Sequence, residues 1–359
     1  MQERLEVLII GGGIAGLATA AHLALAGQAG VGLVEREDQP GFYASGHNAA
    51  IARQLTGRPE HTALAVQGRD RLARAGLLRA SGGLLLGAEP GATLAQAEEA
   101  RAFGLEARAG SGPPLPELRA AEWLRVSGDG VIDIHAELRH CADLARAGGA
   151  RLRFGCQVLE IVPGVEGFRV ETDQGPFQAR ILVNAAGAWA GEVGRMAGGL
   201  DLAFRPLRRH LAWSNAPWPG DRPWAWWTDR PLYLRPESGG VLLCPCDEAQ
   251  VRPPDRGAQP ATDDGMPAEL ARSVQELVPD LGEVPLARPK VRLWCGLRTF
   301  APDRRFVLGR DPLNPSLYWV AGLGGHGMTS GLAVGQLAAG CILGKMSSGA
   351  LDPGRFWTH

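Results

Sequence analysis

The chain has 359 residues and a mass of 38.0 kDa, which is enough for a large hydrophobic core and two lobes. Its 37 basic and 38 acidic residues leave a net charge of −1, which argues against nucleic acid or an anionic membrane as the main partner. Glycine is abundant, at 50 residues, but no Gly-X-Y period is present and the hydrophobic share is ordinary, which excludes collagen and disorder. We therefore expect a globular protein with a small-molecule partner.

The cysteines and the uncharged stretches exclude further classes of protein. The six cysteines include no CxxC pair and no histidine at zinc-finger spacing, so we expect reduced thiols, a cytoplasmic location and no metal site. Cys244 and Cys246 stand close together, but no third ligand is near them in the sequence. Residues 7–34 and 316–344 lack charge, yet glycines and a histidine interrupt both stretches, so we predict neither a transmembrane helix nor a signal peptide.

The chain begins with the pattern of a dinucleotide-binding unit. Residues 5–10 form an apolar run typical of a buried strand, residues 14–26 form an Ala- and Leu-rich helical segment, and residues 31–34 form a second apolar run ending at Glu35. The turn carries the G-x-G-x-x-G fingerprint at Gly11, Gly13 and Gly16. In such a βαβ unit the turn binds a pyrophosphate, and the acidic residue accepts hydrogen bonds from ribose hydroxyls and disfavours a 2′-phosphate.

The later part of the chain mixes helical and strand patterns. Residues 86–115 predict a surface helix followed by a loop, and residues 204–300 predict mostly strands with a helix at 268–277. The other predicted elements are a helix at 135–146, strands at 151–154 and 158–162, a hairpin of 168–172 with 177–179, an apolar strand from 181 into the small residues up to 189, and a final helix at 328–343.

Several segments, taken in order, resemble the D-amino acid oxidase (DAO) family of FAD enzymes. They are the fingerprint, the turn at 35–41, Ser-Gly-His-Asn-Ala-Ala at 45–50, Val-Asn-Ala-Ala-Gly-Ala-Trp at 183–189, Gly-Leu-Arg-Thr-Phe at 296–300 and Gly-Gly-His-Gly at 324–327. Within the family the motifs are most similar to those of bacterial D-arginine dehydrogenase and related D-amino acid dehydrogenases. The motifs span nearly the whole chain.

The resemblance implies an α/β fold, α+β overall, with a Rossmann-like FAD-binding domain and a discontinuous substrate-binding domain that carries a mixed sheet. The FAD-binding domain is expected from residues 1–80, 150–200 and 300–359, and the substrate-binding domain from 81–149 and 201–299. Non-covalent FAD is the implied cofactor. Cys295 stands near the place where monomeric sarcosine oxidases attach flavin covalently, but the Gly-Leu-Arg that follows it here departs from their motif.

The resemblance also implies which residues contact FAD. The turn contributes to the pyrophosphate site, Glu35 binds the ribose, and the last glycine turn donates main-chain N–H groups to the pyrimidine end of the flavin. The expected cofactor-binding residues are Gly11, Gly13, Ile14, Ala15, Gly16, Glu35, Arg36, Ser45, His47, Asn48, Ala49, Val158, Ala185, Ala186, Gly187, Trp189, Gly324, Gly325, His326, Gly327 and Met328.

Five residues are expected to act on the substrate. Arg298 matches the arginine with which the family binds the substrate carboxylate, and Arg209 matches a second arginine in related dehydrogenases, with Arg208 and His210 as adjacent alternatives. Tyr233 matches a tyrosine whose hydroxyl binds the same carboxylate. His47 and His326 are candidates for a base or for tuning the flavin. A structural role stays open for each of the five.

The substrate side chain is predicted from the positions at which this sequence departs from the motifs of D-arginine dehydrogenase. Ile51 and Thr56 align where D-arginine dehydrogenase has histidine and tyrosine, and the acidic residue that would meet a cationic side chain is replaced in the segment 82–86. D-Arginine is therefore not the expected substrate. A neutral or hydrophobic D-amino acid is expected instead, in an apolar pocket lined by some of Trp213, Trp224, Trp226 and Trp227.

The implied reaction is oxidative deamination of a small amino acid. Hydride passes from the α-carbon to flavin N5, and water then hydrolyses the imino acid to a 2-oxo acid and ammonia, with oxygen or a quinone as the electron acceptor. Oxidation of a 2-hydroxy acid, or of an amine such as sarcosine or glycine, requires the same carboxylate site and stays an alternative. A flavin-binding subunit of a larger electron-transfer complex is an alternative of another class.

Overall fold

The computed structural model describes residues 3–281 and 291–357. The strands are β1 (Glu3–Ile10), β2 (Val31–Val34), β3 (Ile51–Ala52), β4 (Leu78–Arg79), β5 (Gly83–Gly87), β6 (Ala107–Ser111), β7 (Glu122–Val126), β8 (Gly130–Ile132), β9 (Arg151–Arg153), β10 (Val158–Gly164), β11 (Gly167–Thr172), β12 (Phe177–Asn184), β13 (Arg205–Ser214), β14 (Trp224–Trp227), β15 (Tyr233–Glu237), β16 (Gly240–Cys244), β17 (Ala249–Gln250), β18 (Val291–Phe300), β19 (Val307–Arg310) and β20 (Leu317–Ala321). The α-helices are α1 (Ile14–Leu25), α2 (Pro59–Arg74), α3 (Leu94–Ala102), α4 (Ile134–Ala147), α5 (Ala190–Met196), α6 (Met266–Leu277) and α7 (Gly327–Ile342).

Sheet I has the strand order β10-β11-β12-β1-β2-β9, with β20 also paired to β12 and β19 to β20. Strand β1 lies in its centre and pairs in parallel with β2 and β12. Its residues from Val7 to Ile10 are all buried, because both faces of a parallel sheet are covered. The βαβ unit predicted from the first 35 residues is therefore present as β1, α1 and β2.

Two hydrophobic cores cover the faces of sheet I. On one face, helices α1, α4 and α7 pack together, with Leu17, Leu138 and Val334 in the core between them and the sheet. On the other face, α5 and the hairpin strands enclose Leu8, Phe168 and Trp319. The N-termini of α1 and α7 thus lie at the same edge of the sheet, at the carboxyl ends of β1 and β20.

Sheet II has the order β17-β13-β16-β15-β14-β5-β7-β6, with β18 paired to β13. Its pairings are antiparallel except that of β14 with β5. Strands β13 and β18 pair along their full length, from Arg205 opposite Phe300 to Ser214 opposite Val291. Helix α6 covers one face of the sheet with Leu270 and Val274. A small sheet III has the order β3-β8-β4, and both of its pairings are antiparallel.

Several elements differ from the sequence predictions. The predicted loop after α3 contains β6, which pairs with β7, so tertiary pairing overrides the Gly- and Ser-rich local sequence. The predicted hairpin strand at 177–179 and the apolar strand from 181 form one strand, β12, whose first half pairs with β11 and second half with β20. Helix α2 was not predicted; its mostly polar sequence begins with proline at the first turn.

The domain division stays a prediction, but one helix bears on it. Helix α4 lies in the range 81–149 that we expected in the substrate-binding domain, yet it packs against α1 on sheet I. Residues 1–2 and 358–359 of the expected FAD-binding domain and 282–290 of the expected substrate-binding domain lie outside the described residues. Across the described ranges, the structure contains no helix that is long and apolar enough to span a bilayer.

Candidate active site

One cavity of about 530 Å³ lies between the carboxyl edge of sheet I and one face of sheet II. Its floor is formed by the turns that follow β1 and β2 and by the N-termini of α1 and α7. Its roof is formed by β13, β14, β15 and β18. The volume lies in the usual range for a pocket that binds a small organic ligand.

Glu35 marks one end of the cavity. Its two carboxylate oxygens accept hydrogen bonds from the backbone N–H groups of Gly12, at 2.6 Å, and Glu37, at 2.9 Å. Burial raises the pKa of Glu35, and the two backbone donors oppose that shift. Each oxygen keeps a lone pair for a further donor, which suits the hydroxyls of a ribose. Val158 lines the same end.

Arg36 closes this end of the cavity. Its guanidinium lies 3.8 Å from the centre of the Trp189 ring, pairs with Glu37 at 3.1 Å and donates to the carbonyl oxygen of Pro254 at 3.1 Å. It also donates to the hydroxyl of Tyr43. Because its donors are engaged within the protein, Arg36 joins the turn after β2 to the segment around residue 254.

The N-termini of α1 and α7 both open on the cavity. The first N–H groups of a helix have no partner within the helix, and the helix dipole favours negative charge there. The N–H of Ile14 donates to the Ser45 hydroxyl at 3.1 Å, and Ala15 lines the cavity next to it. Gly327 and Met328 occupy the corresponding place on α7. These donors, with Glu35, fit the pyrophosphate, ribose and flavin of FAD.

Gly16 is the one expected cofactor-binding residue that does not line the cavity. A side chain at this position would collide with the carbonyl oxygen of Gly11. Gly16 therefore permits close packing between the turn and the first helical turn of α1, which is a structural role for the third glycine of the fingerprint.

Two arginines meet one carboxylate at the other end of the cavity. Leu207 is the register partner of Arg298, so Arg209, two residues further along β13, lies on the same face of sheet II. The guanidinium groups of Arg209 and Arg298 donate to Oε1 of Glu248 at 3.2 and 3.0 Å. Arg304 also pairs with Glu248, at 3.0 Å. Two guanidinium groups that line the cavity thus share one carboxylate partner, which itself lies outside the cavity lining.

Main-chain contacts hold the two arginines in place. Nε and Nη2 of Arg298 donate to the carbonyl oxygen of Gly324 at 3.2 and 2.7 Å, and Nε of Arg209 donates to that of Asp247 at 2.9 Å. Burial lowers the pKa of Arg298 to about 10, with Arg209 contributing, so the group stays charged at neutral pH. The alternatives Arg208 and His210 contact the segment 261–263 instead and do not line the cavity.

Tyr233, Trp226 and Arg53 form an aromatic and cationic wall. Trp226 and Tyr233 are cross-strand partners on β14 and β15, and their ring centres lie 4.4 Å apart. The guanidinium of Arg53 lies 4.3 Å from the centre of the Trp226 ring. Tyr233 is buried, and burial raises the pKa of its hydroxyl well above 10, so it stays a neutral donor.

The two candidate histidines line the cavity in different environments. His47 donates from Nδ1 to the carbonyl oxygen of Tyr43 at 3.2 Å, which fixes its ring. His326 is half-buried beside Arg53 and Arg298, and desolvation together with these two positive charges holds its pKa well below 6.5, so the ring is neutral. Its Nε2 accepts a hydrogen bond from Arg53 at 3.3 Å. The lone pair of His326 is therefore occupied, which favours a positioning role over that of a base.

The cavity brings together nearly all the residues singled out in the sequence. All five expected substrate residues and every expected cofactor-binding residue except Gly16 line it. Of the four tryptophans, only Trp226 does; Trp224 and Trp227 are fully buried in the cores of sheet II, and the indole N–H of Trp213 donates to the carbonyl of Glu237. The expected apolar pocket therefore contains one tryptophan and the charged Arg53.

Sequence reasoning missed two parts of the wall. Arg53 is one arginine among many in this chain, and no motif marks it. The segment 252–256 lines the cavity beside Arg36 although it belongs to an irregular stretch without local signals. Its only sequence signal is the pair of prolines at 253 and 254, which is typical of an ordered loop.

Cys295 points away from the cavity. It is buried, its thiol donates to the carbonyl oxygen of Pro260 at 3.1 Å, and burial raises its pKa to about 11. The next residue, Gly296, does line the cavity. Over residues 3–281 and 291–357, no cluster of three or more His, Cys, Asp or Glu side chains is arranged to hold a metal ion.

Comparison with known proteins gives consistent matches. The family described as FAD dependent oxidoreductase (DAO) matches residues 6–340. Glycine oxidase of Bacillus licheniformis is 26% identical, with 96% of this chain and 95% of that protein covered. Mitochondrial dimethylglycine dehydrogenase of Mus musculus is 29% identical over 64% of this chain, but the match spans only 28% of that longer protein. The crystal structure of L-proline dehydrogenase from P. horikoshii has a TM-score of 0.85 at 21% identity, with 99% and 98% of the two chains covered.

Proposed function

Because the chain belongs to the FAD-dependent oxidoreductase (DAO) family, we propose that it oxidises the carbon–nitrogen bond of a small amino acid or amine bound beside FAD in the cavity described above. Two similar proteins, glycine oxidase and dimethylglycine dehydrogenase, are named for reactions of this class. The observation that carries the proposal is the convergence of Arg209 and Arg298 on one carboxylate at the roof of the cavity.

In this proposal the two arginines bind the substrate carboxylate. A guanidinium binds a carboxylate through parallel hydrogen bonds, so it fixes the orientation of the α-carbon as well as the charge. The neutral hydroxyl of Tyr233 adds a donor from the same face of sheet II. Arg209 and Arg298 pair with Glu248 in this structure. In the proposal, the substrate carboxylate binds the two guanidinium groups either together with Glu248 or in its place.

FAD, when bound, supplies the redox chemistry by accepting a hydride from the substrate carbon. The chain supplies orientation and electrostatics. The N-terminus of α7 faces the expected position of the flavin and favours negative charge there. Sheet II covers the cavity and limits the access of water. In this proposal the substrate amine binds in its neutral form and needs no side-chain base, which agrees with a neutral His326 whose lone pair accepts from Arg53.

We further propose non-covalent FAD, because the thiol of Cys295 donates to Pro260 and does not line the cavity. A D-configured substrate, oxygen or a quinone as electron acceptor, and a cytoplasmic location belong to the same proposal. The location is supported by the six free cysteines, which a reducing compartment maintains.

The test is anaerobic reduction of the purified flavoprotein by a panel of amino acids of both configurations, glycine, sarcosine and 2-hydroxy acids. Loss of the flavin absorbance with amino acids supports the proposal, and loss only with 2-hydroxy acids favours that alternative. If no compound of the panel reduces the flavin, the proposal is wrong.

Arg298→Ala should raise the half-saturating substrate concentration by about 10- to 100-fold, because a charge-assisted hydrogen bond contributes about 1.5–3 kcal/mol. Arg292→Ala is the matched control, because Arg292 is exposed on the same strand, β18. Turnover and affinity that are unchanged in Arg298→Ala would instead support a flavin-binding subunit that passes electrons to a partner.

A further inference from the structure

Arg53 places a half-buried positive charge in the cavity, and no carboxylate among the described residues pairs with it. It lines the cavity after β3, its guanidinium stacks on Trp226, and its hydrogen-bond partner is the neutral ring of His326. Among the described residues Arg53 forms no ion pair, whereas Arg209 and Arg298 both pair with Glu248. Because this charge faces the cavity and has no carboxylate partner there, the guanidinium is available to pair with an anion that enters the cavity.

The acidic residues around Arg53 are occupied elsewhere. Asp129 is buried and accepts hydrogen bonds from the backbone and side-chain N–H groups of Gln54, at 3.1 and 3.0 Å. Burial raises its pKa to about 7, so at neutral pH it does not carry a full negative charge. Glu99 accepts from Gly57 and Thr62. Neither carboxylate lines the cavity, so neither can neutralise Arg53 from the ligand side.

Arg53 and Arg298 lie on either side of one short turn. Arg298 donates to the carbonyl of Gly324, and Arg53 donates to the ring of His326 two residues later. Besides burial, the positive charge of Arg53 also lowers the pKa of Arg298, so the two guanidinium groups lie close enough to interact electrostatically. A substrate carboxylate on Arg298 therefore leaves a second cation at the same turn and in the same cavity.

We propose that Arg53 binds a second anionic group of the substrate, so that the preferred substrate is an amino dicarboxylic acid. This inference rests on the proposed function and names its substrate class: the first carboxylate binds Arg209 and Arg298, and the second binds Arg53. It replaces the expectation of a neutral side chain, because the wall that was expected to be apolar carries Arg53 on the face of Trp226.

The first experiment compares acids with their amides. Purified FAD-loaded enzyme is mixed anaerobically with aspartate, glutamate, asparagine and glutamine in both configurations, and the loss of flavin absorbance is followed. The half-saturating concentration of an acid should be at least about tenfold lower than that of its amide, since a hydrogen bond to a charged group distinguishes the two.

Variants test whether Arg53 causes this preference. Arg53→Gln should bring the acid-to-amide ratio near one, and Arg53→Lys, which keeps the charge, should restore part of it. The lysine variant also keeps the test available if Arg53→Gln does not fold. Arg108→Gln, at an exposed position on β6, is the control and should leave the ratio unchanged.

A second measurement is independent of turnover. Succinate and its monoamide are titrated against the tryptophan fluorescence and the flavin spectrum; succinate should bind at least about tenfold more tightly, and Arg53→Gln should remove the difference. Equal binding of succinate and its monoamide, or an equal effect of Arg53→Gln on all amino acids, would overturn the inference about Arg53. If amino acids still reduced the flavin in that case, the proposed function would stand. Arg53-dependent succinate binding without reduction by any amino acid would support the second site and overturn the proposed function.

Discussion

The carboxyl group of Glu137 is buried on α4, facing Gly331 of α7, and neither oxygen has a hydrogen-bond partner among the described residues. Burial raises its pKa well above 4.5. The folded state therefore holds this proton to a higher pH than the unfolded state does. The free energy of unfolding then falls as the pH rises above about 4.5, by up to about 1.4 kcal/mol per pH unit, until the folded pKa is passed.

Glu137→Gln should remove this loss, because glutamine has nearly the shape of the protonated acid. Chemical denaturation at pH 5.5 and pH 8 should show a larger stability advantage of the variant over the wild type at the higher pH than at the lower pH. Glu98→Gln, at an exposed position on α3, serves as the control. A stability difference that is the same at both pH values would contradict the assignment.

At the scale of elements, the contact between α1 and α7 depends on a close approach of their backbones. A side chain at Gly335 of α7 would collide with the backbone of Ala18 of α1, whereas the nearest atoms to one at Gly340 belong to the side chain of Met346, which is half exposed. The two glycines lie on one helix and differ in whether their neighbour can move.

Gly335→Ala should therefore destabilise the protein by about 1–3 kcal/mol and weaken FAD binding, because α7 must shift to relieve the overlap. Gly340→Ala should be neutral or stabilising by up to about 1 kcal/mol, from helix propensity alone. Thermal unfolding and FAD titration check both variants. If Gly335→Ala and Gly340→Ala were equally stable, α7 would be able to move away from α1 without a loss of folding free energy, which would contradict this prediction.

The elements show why sequence reasoning succeeds in some places and fails in others. The unit β1-α1-β2 was predicted because its strand, turn, helix and acid are adjacent in the sequence and each has a local signal. Strand β6 was missed because only its pairing with β7 makes it a strand. Glycines of the site were found because turns require them, but Arg53 was not, since its role comes from Trp226 and His326, which are distant in the sequence.

At the scale of the whole molecule, the segment 252–257 joins sheet II to the end of the cavity beside Glu35. Arg256 donates to Asp173 at 2.7 Å and to the carbonyl of Gly155 at 2.8 Å, and the N–H of Gly257 donates to Glu37 at 3.1 Å. These bonds connect the two larger sheets across the cavity. We therefore expect the segment to slow the release of a ligand bound at the end formed by Glu35.

Arg256→Ala should increase the dissociation constant of FAD by about three- to tenfold, with a faster release, because a partly exposed ion pair and one hydrogen bond are lost. The effect should shrink at high ionic strength. Arg169→Ala, which removes an exposed ion pair with Glu171 on β11, is the control. FAD release followed by flavin fluorescence gives both rates, and an unchanged release from Arg256→Ala would show that the segment does not hold the cofactor.

The central position of β1 has a consequence for synthesis of the chain. Strand β1 leaves the ribosome well before its neighbour β12, which begins at Phe177, the register partner of Glu3. At 5–20 residues per second, the hydrophobic edge of β1 waits roughly 10–35 s for that neighbour. During this interval the nascent chain exposes an unpaired apolar strand, which is the state that chaperones bind and in which aggregation begins.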